Sequence, residues 1–370
     1  MARKLWAGLD VGVETTSICV ISDTGEVLQE ATCPTHVKSV HSEIRWLRRR
    51  RFARVGLEGS CGLTLARGLR SLGYCVDLYE TRQLSKFLRA RRNKTDAGDA
   101  NGIAQAGRIG ASLVSRVYLK SLECQSLQSR LVVRRHLVRA RAAAVSLLCR
   151  QVEAYGGRVR SANHSMQLGL KVNAELSKLF GRSPNPLVSE LRTLLVHCEQ
   201  LISYQRSVDQ DLRRVACDNE VCRRFMEIPG VGPLCALTFF AAIGDPKRFR
   251  RSVDVGSYLG LTPKIHQSGL SLRRGRISKM GNSEVRGLLV QAATAFMRWE
   301  KDGSRLRAWA SDIEQRRGRG KSRVALGRKL AVVMLAMWKS GERFEARSSE
   351  QDQAPQGPAA DSDPVKPQAS

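Results

Sequence analysis

Aromatic residues are scarce in this chain. Nine Phe, six Tyr and five Trp make up 5% of its 370 residues. Sequence-independent binders of single strands stack successive bases on aromatic rings, so the composition argues against a protein dedicated to that task. Acidic residues are few beside the basic ones. There are 34 Asp and Glu against 62 Lys and Arg, for a formal charge of +28 and a pI near 10.5. A charge of that size favours a polyanionic partner and steeply salt-dependent binding. A merely soluble basic chain is the alternative, and the placement of the charge disfavours it. No apolar run reaches ~18 residues, so no membrane span is expected, and Met1, Ala2, Arg3 and Lys4 lead straight into a strand, unlike a signal peptide. None of the ten cysteines forms a CxxC pair and no Cys/His spacing resembles a zinc site. Most lie in apolar patterns and read as reduced core residues of a cytosolic protein.

What the sequence does have, against this basic background, is four acids in its first hundred positions. Asp10 lies in Trp6-Ala-Gly-Leu-Asp-Val-Gly, Glu58 in Arg54-Val-Gly-Leu-Glu-Gly, and Asp96 and Asp99 in Asn93-Lys-Thr-Asp-Ala-Gly-Asp-Ala. The first two end short apolar runs, residues 5–9 and 55–57, that read as buried strands. The last two are spaced i, i+3, which a helix places on one face. Buried carboxylates repel unless a cation holds them, and hard oxygen ligands suit Mg²⁺ or Mn²⁺. Two such ions can clamp the attacking and leaving oxygens of a phosphodiester. An acidic pocket in a basic protein suits a metal-dependent enzyme of nucleic acids.

The length and 42% hydrophobic content predict two or three folded domains. Residues 1–112 read as α/β. Strands are expected at 5–9, 17–22 and 26–33, with Asp23-Thr-Gly as a tight turn, then a helix at 36–50, a strand at 53–58, a helix at 63–72 and a strand at 75–79. Three strands followed by helix, strand, helix, strand is the order of the ribonuclease H-like fold. Residues 113–225 read as helical. A helix over 119–155 is expected to pair with one beginning at Pro186, with 156–185 connecting them. The second carries a 4,3 repeat through Leu187, Leu191, Leu194, Cys198, Leu201, Gln205, Val208, Leu212 and Val215, the pattern of a coiled-coil seam. The seam serves either an intramolecular pair or a stalk that also mediates self-association, and Gln205 is a polar residue of the kind that sets register or oligomer state. Residues 226–341 form a third, mostly helical region opening with Ile228-Pro-Gly-Val-Gly-Pro. That run resembles the turn of a helix-hairpin-helix element, in which glycines let backbone N–H groups approach a phosphate; a plain tight turn is the alternative. The tail, 342–370, is rich in Pro, Gln, Asp and Ser and reads as disordered.

A second constellation lies between Tyr258 and Asn282. Gln267-Ser268-Gly269 follows a Pro-containing turn, and Arg273, Arg274, Arg276 and Lys279 come after it. A serine flanked by glycine can approach a phosphate closely, with the arginines stabilising developing charge. On the residues alone, a loop that only grips phosphates fits as well, Ser271 and Ser278 compete for the role, and His266 is a candidate proton carrier. Arg91, Arg92 and Lys94 lead directly to Asp96. Further basic runs at 45–51, 130–141 and 316–323 spread the charge over all three regions, as an extended polyanion path requires.

Together these segments resemble the DEDD-type transposases of bacterial insertion sequences, a group that includes Piv-like DNA invertases and recombinases guided by an element-encoded bridge RNA. The resemblance runs from about residue 4 to 341. It rests on Gly8-Leu-Asp-Val-Gly, Leu57-Glu-Gly-Ser-Cys-Gly, Asn93-Lys-Thr-Asp-Ala-Gly-Asp-Ala, Ile228-Pro-Gly-Val-Gly, Leu259-Gly-Leu-Thr-Pro, Gln267-Ser-Gly and Ser278-Lys-Met-Gly-Asn-Ser-Glu-Val-Arg, in that order. It implies a RuvC-like N-terminal domain whose acidic tetrad, Asp10, Glu58, Asp96 and Asp99, holds Mg²⁺ or Mn²⁺, and a C-terminal transposase domain supplying Ser268 as nucleophile. The implied reaction joins that serine to a DNA phosphate and releases a 3′-OH before strand exchange, at a site assembled from two domains or two subunits. Implied partners are the element ends and target DNA, a guide RNA, and further copies of the chain, as a dimer or tetramer through the coiled coil, in the bacterial cytoplasm at the nucleoid. Gly59 stands where Ala is common, and the tail is longer than usual. A water-using RuvC-like nuclease or junction resolvase shares the tetrad without the covalent step. An actin-like sugar kinase would explain Gly8-Leu-Asp-Val-Gly but needs a second phosphate loop that the basic, helical second half lacks. A non-catalytic nucleic-acid binder would make the carboxylates structural, and buried acids without metals would be costly.

Overall fold

A computed structural model describes residues 4–49, 53–60, 62–90, 95–110, 113–159, 168–181, 185–268, 271–300 and 304–345. The expected disordered tail lies almost wholly outside these residues. The chain divides into two compact units, Met1–Lys120 and Ser121–Ser370.

The first unit is α/β. Its strands are β1 (Leu5–Val11), β2 (Thr15–Ile21), β3 (Val27–Pro34), β4 (Ala53–Glu58), β5 (Val76–Tyr79) and the short β6 (Arg116–Val117). They form one sheet in the order β3-β2-β1-β4-β5-β6. Strands β1, β2 and β3 pair as an antiparallel meander, β1 with β4 and β4 with β5 are parallel, and β6 is antiparallel to β5. The two parallel steps follow from the helices between those strands, since a parallel return needs a crossover. Those helices are α1 (Val37–Ile44) and α2 (Leu63–Ser71); α3 (Thr81–Leu88) and α4 (Asp96–Ile109) follow β5. Helix α1 is shorter than expected. At Arg45 the chain tightens into a 3₁₀ turn through Arg49.

Alternation along β1 sorts the faces. Leu5, Ala7 and Leu9 join Ile18, Val20, Val55 and Leu57 in a core covered by Val40 and Ile44 of α1 and Leu65, Ala66 and Leu69 of α2. Trp6, Gly8 and Asp10 face the other way, toward α4, whose Ala100 and Ala104 pack with Cys19 and Ile21.

The second unit is helical apart from one hairpin. It comprises α5 (Leu122–Ala154), α6 (Leu168–Phe180), α7 (Pro186–Asp218), α8 (Glu220–Met226), α9 (Pro233–Ile243), α10 (Asp254–Tyr258), the hairpin strands β7 (Pro263–Ser268) and β8 (Ser271–Ile277), α11 (Ser283–Trp299), α12 (Arg305–Arg317) and α13 (Arg319–Ser340). Helices α5 and α7 run antiparallel. At one end Val145, Leu148 and Val152 meet Leu191, Leu195 and Cys198; at the other Cys124, Leu127 and Leu131 share a core with Leu212 and Ala216. The seam residues therefore pack within the chain. Gln205 donates to Asp209 Oδ2 at 3.1 Å, and Asp209 also takes Arg134 of α5. The connecting region contains α6, whose Leu168, Val172 and Leu176 cap the α5–α7 core.

The C-terminal helices enclose the largest core, with Phe240 stacked on Trp338 at 4.8 Å. The turn between α8 and α9 bends at Gly230 (φ 84°), where an added Cβ would lie 2.5 Å from the Ala292 carbonyl oxygen of α11. No described helix is long and apolar enough to cross a membrane. Among the described cysteines, burial pushes the Cys222 and Cys235 thiols up to about 12, the first also through Cys124 and Glu123 nearby, whereas Cys75 and Cys217 are exposed. Since the thiolate is the reactive form, peptide mass spectrometry of the native chain treated with iodoacetamide should find Cys75 and Cys217 modified and Cys222 and Cys235 modified only after unfolding.

Candidate active site

Asp10 and Glu58 stand side by side. The parallel register pairs Leu9 with Leu57, so the next positions, Asp10 and Glu58, end adjacent strands on the same face. That face carries α4, and its course over β1 can be followed contact by contact. A Cβ on Gly107 would lie 3.1 Å from Trp6 Cδ1, and one on Gly8 would lie 2.0 Å from the Ala100 oxygen and 2.4 Å from the Ala104 nitrogen. Helix α4 thus runs antiparallel to β1, its backbone in contact with Gly8, and its first turn reaches the end of β1 that carries Asp10. Asp96 and Asp99 are in that turn. Thr95 caps it, accepting from Gly98 N at 3.0 Å, and carboxylates in a first turn are favoured by the helix dipole. All four predicted acids are therefore brought to one end of one face.

Their surroundings are polar and open. Asp96 is exposed and the other three are half-buried. The expectation of buried carboxylates fails for a geometric reason: the strands are buried, but their acidic residues occupy the ends, where the sheet opens to solvent. Glu58 Oε1 accepts from Ser60 Oγ at 2.6 Å. Gly12 N donates to Thr15 O at 2.9 Å, and Thr35 Oγ1 donates to Gly12 O at 3.0 Å, which fixes the turn just after Asp10. Among the described residues, no three His, Cys, Asp or Glu side chains are grouped as ligands of one ion. The donor set itself fits a hard divalent cation: four anionic oxygen donors on the ends of rigid elements.

The second constellation is an antiparallel ribbon rather than the turn and loop expected from sequence. Ser268 ends β7 and is exposed, opposite Ser271, while His266 opposes Arg273. Period-two alternation puts Ser268, His266, Ser271 and Arg273 on one face. Arg276 and Lys279 are exposed; Arg274 opposes Ile265 in the ladder. Ser278 is half-buried at the ribbon's base, its N–H donating to Thr262 O at 2.8 Å, so of the three candidate serines Ser268 and Ser271 are the accessible ones. Arg91, Arg92 and Lys94 lie outside the described residues.

Gly8 and the run from Ser278 to Arg286 carry structural roles in addition to their family resemblance. Gly8 admits α4. In the run, Asn282 caps α11 by accepting from Glu284 N at 2.9 Å, and Glu284 pairs with Arg135 of α5 at 2.9 Å. The signal for Gly8 was a glycine inside an apolar strand, which marks a close backbone approach.

These two sites coincide with two family models. A model for the DEDD-type transposases of IS110 matches residues 7–155, and one described as Transposase IS116/IS110/IS902 family matches residues 222–308. A probable family 20 transposase of Pseudomonas aeruginosa is 32% identical over 286 residues, covering 74% of this chain and 79% of that protein. The chain belongs to the IS116/IS110/IS902 family of transposases. The transposase for insertion sequence element IS1111A of Coxiella burnetii is 29% identical over 345 residues, 91% of this chain and 90% of that one. The pilin gene-inverting protein of Moraxella bovis is 29% identical over 128 residues, 33% of this chain and 38% of its own. Both constellations of this transposase thus fall inside family-matched segments, Asp10 to Asp99 in the first and Ser268 to Lys279 in the second.

The contact at Gly8 is testable. Gly8→Ala should destabilise the full chain in urea by about 3 kcal/mol, since the added carbon meets helix backbone that has no rotamer to change, and hydrogen exchange over Asp96–Ile109 should quicken. Gly287→Ala, on an exposed face of α11 with nothing within 4 Å, is the matched control and should stabilise by about 0.5–1 kcal/mol.

Proposed function

We propose that this transposase cuts and rejoins DNA through a serine–DNA intermediate, in a metal-dependent reaction directed by an RNA from its element. The observation that supports this most directly is the gathering of Asp10, Glu58, Asp96 and Asp99 at one end of one sheet face. The strand order of the first unit is read as ribonuclease H-like, a RuvC-type domain in which carboxylates at these positions serve metals. In the reaction, Ser268 Oγ attacks the phosphorus of a scissile phosphodiester. A P–O bond to serine forms, the P–O3′ bond breaks, and the leaving 3′-oxygen takes up a proton to become a 3′-OH. One phosphodiester replaces another, so a 3′-OH from a second strand can reverse the step and free the serine. Mg²⁺ or Mn²⁺ held by the four carboxylates would offset the charge that builds on the phosphate and leaving oxygen. Gathering those carboxylates on an ion takes rotamer changes, including release of Glu58 from Ser60.

Arg273, on the Ser268 face of the ribbon, and Arg276 and Lys279 are read as backbone contacts, with Arg274, Arg91, Arg92 and Lys94 as further candidates. The α8–α9 turn, read as helix-hairpin-helix-like, offers Gly232, whose surroundings are open, as a further approach for a phosphate. The α5–α7 pair, read as a coiled coil, is the candidate surface for a dimer or tetramer.

A denaturing gel of protein incubated with element-end DNA, flanking RNA and Mg²⁺ tests this reading. Wild type should give a protein–DNA adduct. Ser268→Ala, Asp10→Ala and Asp96→Ala should each lower it by about two orders of magnitude or more while nucleic-acid binding persists, and EDTA should do the same to wild type. Adduct from Ser268→Ala would remove the nucleophile assignment. Cleaved DNA without adduct would favour the water-using nuclease.

A further inference from the structure

The ribbon that carries Ser268 is anchored at its base, where Ile277 of β8 packs against the main core. All six residues of β7 are exposed, and among the described residues β7 pairs only with β8. An isolated two-stranded ribbon is marginal in water, so the direction in which it presents Ser268 is set at its base. There the two legs are in close backbone contact. Ser278 N donates to Thr262 O at 2.8 Å and Lys279 N to Gly260 O at 3.1 Å. A Cβ on Gly260 would lie 2.0 Å from the Met280 oxygen. Lys279 holds φ 56°, the one positive φ outside glycine among the described residues, a conformation that persists only where its surroundings enforce it.

One side chain ties both legs to the rigid core. Arg286, in the second turn of α11, donates through Nη1 to Leu259 O at 3.0 Å on the incoming leg and to Gly281 O at 3.1 Å and Met280 O at 3.4 Å on the outgoing leg. Its helix is anchored beside it by Val285 and Leu289 in the main core. Three converging carbonyls would repel without a cation among them, and charge-assisted hydrogen bonds are the stronger kind. We propose that Arg286 is a positioning residue for strand transfer: it fixes the angle at which the ribbon leaves the helical core and so directs Ser268 at its phosphate. The proposal rests on the reading of Ser268 as nucleophile. The Nη1 donor of Arg286 engages backbone carbonyls of both legs, which suits orienting the ribbon, and affinity for element-end DNA separates that role from a grip on nucleic acid.

The test compares Arg286→Met and Arg286→Lys with wild type and Ser268→Ala in the full chain. Three quantities are measured: hydrogen exchange of the β7–β8 amides, affinity for element-end DNA, and the initial rate of adduct formation. Arg286→Met should speed exchange in the ribbon at least tenfold, leave α11 and α13 protected, keep affinity within twofold, and slow the adduct at least tenfold. Arg286→Lys, which keeps the charge but not the planar fork, should fall between the two. Unchanged ribbon exchange in Arg286→Met, an unchanged adduct rate, or a rate loss that only tracks the unfolded fraction would overturn the proposal. Adduct persisting in Ser268→Ala would remove the serine reading and with it any role for Arg286 in aiming that serine. Loss in Ser268→Ala together with full activity in Arg286→Met would remove the positioning role alone.

Discussion

Helix α4 lies with its backbone on strand β1, and the contact exists because residue 8 has no side chain. An added Cβ would meet Ala100 O and Ala104 N at 2.0 and 2.4 Å, so the helix backbone rests directly on the strand. The residues it buries are small for the most part: Ala100, Gly102, Ala104, Ala106 and Gly107 beside Ile103. A larger residue at position 8 would push the helix outward and carry Asp96 and Asp99 away from Asp10. Parallel pairing of β1 with β4 then sets Glu58 beside Asp10 with no further device. Two backbone constraints, a helix docked on a glycine and a register between strands, thus bring together four carboxylates from three separate stretches of chain.

The Ser268 ribbon is built on the opposite plan. The carboxylates sit on elements locked by a core, whereas the serine sits on β7, all of whose residues are exposed, with the ribbon joined to the core through Ile277 at its base. Its stiffness comes from backbone contact at Gly260 and Gly281 and from the Asn282 cap that begins α11.

Much of this was legible in the sequence. Apolar runs with turn residues between them located β1 to β5 to within two residues, and the apolar spacing from Leu187 located helix α7, although Leu195 and Ala216 are buried where the 4,3 pattern expected Leu194 and Val215. What was not legible has physical causes. The ribbon is not legible in the sequence because all six residues of β7 are exposed, so Lys264, Ile265, His266, Gln267 and Ser268 show no apolar/polar alternation. Helix α6 is hard to read from sequence because its three fully buried residues, Leu168, Val172 and Leu176, span only two turns before Leu179 and Phe180 close it at the end of the connecting region. The openness of the acidic site was misjudged because an apolar run implies a buried strand but says nothing about the solvent at its end. Gln205 is polar in the seam, as read, and the structure shows it bonded within the chain to Asp209.

The gathering of the four carboxylates for a shared cation is the claim on which the functional reading stands. Calorimetric titration of the full chain with Mn²⁺ addresses it without DNA, RNA or turnover. The expected result is saturable binding in wild type and in Ser268→Ala, weakened more than tenfold in Asp10→Asn and in Asp99→Asn. Absence of saturable binding, or binding that Asp10→Asn leaves unchanged, would contradict it.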